Sequence, residues 1–192
     1  MSEPVFTVAN QLTLLRMALA PLLVVLVLSR EHGWALATFL LAGLSDALDG
    51  LIARRGGQQT TLGAMLDPIA DKVLMGGAYV VLTWASVICA IPVWLTVTLL
   101  SRDAIIVVTV AVVNMTVGRR VFPPSLLGKA ATAAQIVTAG LVLLANAMGE
   151  CPRYLVWVFW TTLVLIVTSA VHYVYVASVH PPAPSSGGSE HR

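Results

Sequence analysis

Six apolar runs, separated by short polar or glycine- and proline-containing connections, organise this chain: residues 11–29, 34–53, 64–85, 92–117, 127–147 and 154–178. Leucine, valine, alanine and methionine fill them, without the ten-residue alternating segments that a closed barrel would need. Each run matches the roughly 20 residues that carry an α-helix across a hydrocarbon core. The pattern predicts an all-α integral membrane protein with six transmembrane helices, residues 1–180 forming a single six-helix domain. From Pro181 the chain reads Pro-Pro-Ala-Pro-Ser-Ser-Gly-Gly-Ser, which cannot bury enough surface to fold, so 181–192 is expected to be a disordered tail. Met1 to Asn10 is not a basic n-region, and the first run is long enough to remain as a span. No internal repeat stands out.

Composition agrees with this reading. Hydrophobic residues make up 58% of the chain and charged residues 10%, with a mean hydropathy of +0.88. A soluble domain carries about 25% charged residues. The formal charge of +2 gives no argument for nucleic acid as a partner. The basic residues matter through their position. The second and fourth connections hold Arg54, Arg55, Arg119 and Arg120, with Lys129 close by. The first and fifth hold one arginine each, beside a glutamate, and the third holds none. The positive-inside rule therefore predicts a cytoplasmic location for the Arg54 and Arg119 connections and for both termini. Trp34, Trp84, Trp94, Tyr154 and Trp157 fall at the opposite helix ends, as an interfacial aromatic belt does. Cys89 and Cys151 lie on that outer side; a disulfide is conceivable there, but two free thiols are expected.

Four acids interrupt the second and third runs. The chain spells Asp46-x-x-Asp49-Gly50-x-x-Ala53-Arg54, then eight residues, then Gly63-x-x-x-Asp67-x-x-x-Asp71. Carboxylates near mid-membrane oppose insertion by about 10 kcal/mol for four, so they need a compensating partner. Positions three or four apart share a helix face: Asp46, Asp49 and Gly50 on one stripe, Gly63, Asp67 and Asp71 on another. Two helices meeting along these stripes would form a four-carboxylate cage suited to hard divalent cations, and the cations to a phosphate-bearing substrate. The two glycines let a nucleotide approach the helix backbones, and Arg54, one turn beyond Gly50, can pair with a phosphate oxygen. The residues Arg54-Arg55-Gly56-Gly57 read as loop. One carboxylate at the cage edge can take the proton of an attacking hydroxyl, and the spacing leaves Asp67 and Asp71 tied for that role.

These residues resemble the CDP-alcohol phosphotransferase signature, matching all of its fixed positions. Asn10-Gln-Leu-Thr13-Leu-Leu-Arg16, Asp67-Pro-Ile-Ala-Asp71-Lys72 and Ser101-Arg102-Asp103 resemble the cardiolipin synthase and phosphatidylglycerophosphate synthase branch. The resemblance covers residues 8 to about 135. It implies a six-helix membrane enzyme, usually a homodimer, at the cytoplasmic face of a bacterial inner membrane. Such an enzyme transfers the phosphatidyl group of CDP-diacylglycerol to an alcohol and releases CMP. It further implies that Asp46, Asp49, Asp67 and Asp71 hold two divalent ions, Mg²⁺ or Mn²⁺, that Asp71 is also the general base, and that Gly50, Ala53, Arg54 and Gly63 form the nucleotide pocket.

For the second substrate, Arg102, Lys129, Arg16 and Arg119 are candidate contacts to acceptor or lipid phosphate. Arg102 and Asp103, within a span, are expected to pair with each other or to face the site, with Arg102 facing it. Arg16 is expected to meet a phosphate, the alternative being snorkelling to the interface. A second arginine about two turns beyond the Arg102 position, typical of enzymes that use glycerol 3-phosphate, is absent, since 105–113 has no basic residue. That departure favours phosphatidylglycerol as acceptor, with glycerol 3-phosphate as the alternative. A divalent-cation or proton transporter is a further, remote alternative; its polar groups would spread through the membrane depth rather than bunch at one end.

Overall fold

The computed structural model describes the backbone of residues 8–56, 61–85, 87–116 and 126–179, and side chains within them except those of 8–13, 46–56, 61–69, 110–116 and 177–179. Among the described residues there are six α-helices: α1 Val8–Leu28, α2 His32–Gly56, α3 Thr61–Trp84, α4 Val93–Thr116, α5 Leu126–Met148 and α6 Leu155–Val179. Their ends fall within three residues of the six apolar runs. Leu126–Met148 and Leu155–Val176 are long and apolar enough to cross a membrane, judged by length and composition.

Helix α2 runs past the expected end. Arg54 and Arg55, read as loop from the sequence, belong to the helix, which closes at Gly56. Alanine and arginine are strong helix formers, and the chain only loses that preference at the glycine. Helices α1 and α5 end in Schellman turns. Glu31 N–H donates to Leu26 C=O at 2.9 Å and Arg30 N–H to Val27 C=O at 3.1 Å; Glu150 N–H and Gly149 N–H repeat the pattern on Ala145 and Asn146. Gly149 occupies the left-handed position at φ 77°, where glycine has no Cβ penalty, whereas Arg30 adopts φ 61° with a side chain.

Helix α1 packs on α2 and α3, α2 on α5, α3 on α4 and α5, and α6 on α4 and α5. Leu23, Tyr79, Leu82, Leu95, Leu143 and Ile166 fill the centre. Alanines 20, 35, 42, 78, 131 and 139 are also buried, and their small side chains let the backbones come close. Hydroxyl and amide groups link the helices: Thr83 to Thr96 at 2.6 Å, Thr138 to Thr162 at 2.8 Å, and Tyr79 Oη donating to the Gln135 carbonyl at 3.1 Å. The exterior is as apolar as the interior, with Leu22, Val25, Val97, Val107, Val164 and Val171 among the exposed side chains. A water-soluble bundle reverses that distribution.

Cys89 and Cys151 form a disulfide, with Cα atoms 5.1 Å apart, which corrects the expectation of free thiols. The cause is tertiary. Parallel α3 and α5 end side by side, and the Asn146 side chain holds the Cys89 backbone between them. The exposed Trp34, Trp84, Trp94, Tyr154 and Trp157 lie at helix ends on the same side of the bundle as the disulfide.

Candidate active site

A cavity of about 250 Å³ opens among α1, α2, α3 and α5. Its wall is largely apolar: Phe39, Ala42 and Gly43 from α2, Leu74 and Met75 from α3, and Ile136 from α5. Two charged residues break it, Arg16 from α1 and Asp71 from α3. Arg16 is 1% exposed and Asp71 is half-buried. Full burial rules out snorkelling for Arg16. Placing a guanidinium in such surroundings is costly unless negative charge meets it, from a side chain or a bound anion.

The remaining acids of the motif belong to the same two helices, α2 and α3. Phe39, Gly43, Asp46 and Gly50 recur at helical spacing along α2, and Asp67, Asp71, Leu74 and Met75 do so along α3. Of the acidic motif, Asp71 is the residue whose side chain is described in the cavity wall. The side chains of Asp46, Asp49, Asp67, Gly50, Ala53, Arg54 and Gly63 lie outside the described ones, although their backbones are helical. Among the described residues no three metal-ligating side chains cluster. Arg119 lies outside the described residues, as does the 181–192 segment. Lys129 is exposed in the first turn of α5.

Arg102 is placed elsewhere than in the cavity wall. Its Nη1 donates to Asp103 Oδ1 at 2.9 Å, and its Nη2 makes a long 3.4 Å contact with Ser169 Oγ on α6. Lys72, the residue after Asp71, reaches the other oxygen of Asp103 at 3.2 Å. Of the two expected arrangements the Arg102–Asp103 pair is present, whereas Arg102, expected to face the site, is not among the residues of the cavity wall; with Lys72 and Ser169 the pair extends across three helices. His172 on α6 is half-buried.

Sequence reasoning missed the cavity wall and the Lys72–Asp103 link. The wall had a signal: Phe39 and Gly43 continue the Asp46 stripe backward by two turns. The ion pair had none, because spacing within one chain segment says nothing about pairing between helices.

The family model for CDP-alcohol phosphatidyltransferase matches residues 6–169. A Streptomyces coelicolor protein named cardiolipin synthase (CMP-forming) is 38% identical over 157 residues, covering 77% of this chain and 70% of its own length. The human cardiolipin synthase (CMP-forming) is 33% identical over 90% of this chain, which spans 62% of that protein's length. A Mycobacterium tuberculosis protein named probable phosphatidylglycerophosphate synthase is 37% identical over 86% of this chain and 79% of its own. With the family model spanning most of its length, this chain belongs to the CDP-alcohol phosphatidyltransferase family of transferases.

Proposed function

We propose that the protein transfers the phosphatidyl group of CDP-diacylglycerol to the free terminal hydroxyl of phosphatidylglycerol, forming cardiolipin and CMP. The observation that carries this reading is that Asp71 of the acidic motif and fully buried Arg16 line the wall of one cavity. The names of the Streptomyces and human relatives support the acceptor.

In this reaction the acceptor hydroxyl oxygen attacks the lipid-side phosphorus of the pyrophosphate. A new P–O bond forms, the bond to the CMP phosphate breaks, and CMP leaves with that electron pair. The hydroxyl proton passes to the Asp71 carboxylate. Asp46, Asp49, Asp67 and Asp71 offer hard oxygen donors one helical turn apart on two helices, a donor set that fits two divalent ions, Mg²⁺ or Mn²⁺. Such ions, when bound, neutralise charge on the pyrophosphate. Gly50, Ala53, Arg54 and Gly63 form the nucleotide pocket, and Arg16, Lys129 and Arg119 meet lipid or acceptor phosphates.

All six helices cross the membrane with both termini in the cytoplasm, in a homodimer in a bacterial inner membrane, and the site lies at the cytoplasmic face. The apolar exterior, the disulfide with the tryptophans at one end, and the arginines toward the other support this arrangement. A second reading, glycerol 3-phosphate as acceptor, is favoured by the mycobacterial relative's name. The test is CMP release from CDP-diacylglycerol by purified protein, with and without Mg²⁺ or Mn²⁺, offering each acceptor separately. Cardiolipin as the main product supports the first reading; phosphatidylglycerophosphate alone replaces it with the second.

A further inference from the structure

The cavity that Asp71 lines has a floor and a mouth of different exposure. Arg16, Leu74 and Met75 are buried, whereas Leu40 and Leu44 of α2 and Ile136 of α5 are exposed. The cavity therefore opens sideways, on the apolar exterior between α2 and α5. Gly43 of α2 lines it and is itself exposed. A Cβ built on Gly43 meets no heavy atom within 4 Å among the described residues, although the position lies in mid-helix. Other helical glycines differ: a Cβ at Gly76 would touch Leu100, one at Gly77 Val24 and one at Gly140 Phe39, each at 3.6 Å. Glycine weakens a helix interior, and in membrane helices close approach of a neighbouring helix usually offsets that. No described neighbour does so at Gly43, so what the glycine provides is the open space. At about 250 Å³ the cavity far exceeds the roughly 10–15 Å³ that holds one water, yet apolar cavities stay dry and take organic guests.

We propose that Gly43 is a specificity-determining residue: the space in front of it admits an acyl chain of CDP-diacylglycerol, entering sideways between α2 and α5. The proposal rests on CDP-diacylglycerol as donor and holds with either acceptor. The chemistry fits from both ends. The phosphorus under attack carries the diacylglycerol through one ester oxygen, so the chains begin within a few atoms of the reacting centre. Beyond Asp71 and Arg16 the wall offers phenylalanine, leucine, methionine and isoleucine, which suit hydrocarbon and give a headgroup nothing to bond. The exposed leucines at the mouth continue that apolar surface to the exterior. A side chain at position 43 would stand in the chain's path. Hydrophobic pockets discriminate by about 10–200-fold for a change of one methylene.

The test compares KM and kcat for dioleoyl and for dibutanoyl CDP-diacylglycerol in wild type, Gly43→Ala and Gly43→Leu, with purified protein and saturating acceptor. Gly43→Leu should raise KM for the dioleoyl donor by about tenfold or more, while KM for the dibutanoyl donor stays within a few-fold of wild type. Gly43→Ala should act in the same direction but by less. Its thermal unfolding temperature should equal or exceed that of wild type, because alanine is the better helix former and its Cβ meets nothing. Gly43→Ala decides the matter if Gly43→Leu does not fold. Equal changes with the two donors, or an unchanged KM for the dioleoyl donor, overturn the proposal. Release of CMP from CDP-diacylglycerol by the wild type decides the donor reading separately. If that fails, CDP-diacylglycerol with a photoreactive diazirine in its chain still decides the site by binding alone. Crosslinks around Leu40, Leu44 and Ile136 that Gly43→Leu abolishes support the chain site; crosslinks absent there, or unaffected by the substitution, overturn it.

Discussion

Asn146 grips Cys89 by both of its backbone polar groups. Its Oδ1 accepts from the Cys89 N–H at 3.0 Å, and its Nδ2 donates to the Cys89 carbonyl at 2.8 Å and to the Val142 carbonyl at 2.8 Å. Asn146 and Cys89 are 2% and 1% exposed, so water cannot replace these bonds. Orphaning a buried backbone group costs about 1–3 kcal/mol. Asn146→Ala orphans two at Cys89 and should lower the thermal unfolding temperature of the unreduced protein in detergent, with a loss of about 2–4 kcal/mol. Asn146→Asp retains the acceptor but loses the donor and should not rescue it. Unchanged melting in both variants would dismiss the clamp.

The disulfide bears on topology. A Cys89–Cys151 bond persists where the compartment is oxidising, and the same end of the bundle carries the exposed tryptophans. Protein from membranes should therefore resist alkylation at both cysteines until it is reduced, as seen in a mass shift. Single cysteine reporters at Arg55 and Arg119 should be shielded from impermeant thiol reagents in intact cells and react after permeabilisation. Reporter labelling in intact cells would invert the proposed orientation.

The acids should behave as one unit. Asp46→Ala, Asp49→Ala and Asp67→Ala each remove a donor while leaving the others mutually repelling in apolar surroundings. Each variant should reduce CMP release by about 100-fold or more, the range expected when a catalytic metal's charge stabilisation of several kcal/mol is lost. A chelator should do the same to wild type, reversed by Mg²⁺ or Mn²⁺. Full turnover in excess chelator would exclude the metal cage.

Much of the architecture was legible because each helix is a nearly unbroken apolar run, and its ends coincide with turn chemistry such as Gly149 after α5. The acidic stripes were legible for a related reason: spacings of three and four become faces once a helix is assumed. What stayed hidden depends on helices meeting. Cys89 and Cys151 are 62 residues apart, and their bond requires α5 to return beside the end of α3. The Lys72–Asp103 pair requires α3 against α4. Arg16 could be placed on α1 from sequence, but its complete burial follows from the packing of α2 and α3 around that helix.

Substitution at Asp71 should separate binding from chemistry. This residue follows Asp67 by one helical turn and is the acidic-motif residue whose side chain is described in the cavity wall with Arg16. Asp71→Asn keeps a carbonyl oxygen able to coordinate or accept a hydrogen bond, but an amide cannot take a proton at neutral pH. If Asp71 is the general base, the variant should bind CDP-diacylglycerol within a few-fold of wild type while kcat falls by about 10²–10⁴, the usual worth of a positioned base. Binding is to be measured by displacement of a labelled CDP-lipid, and turnover by CMP release. A large loss of binding with little further loss in kcat would make Asp71 a ligand only. Near-normal kcat would pass the base role to Asp67, the other carboxylate on the same stripe.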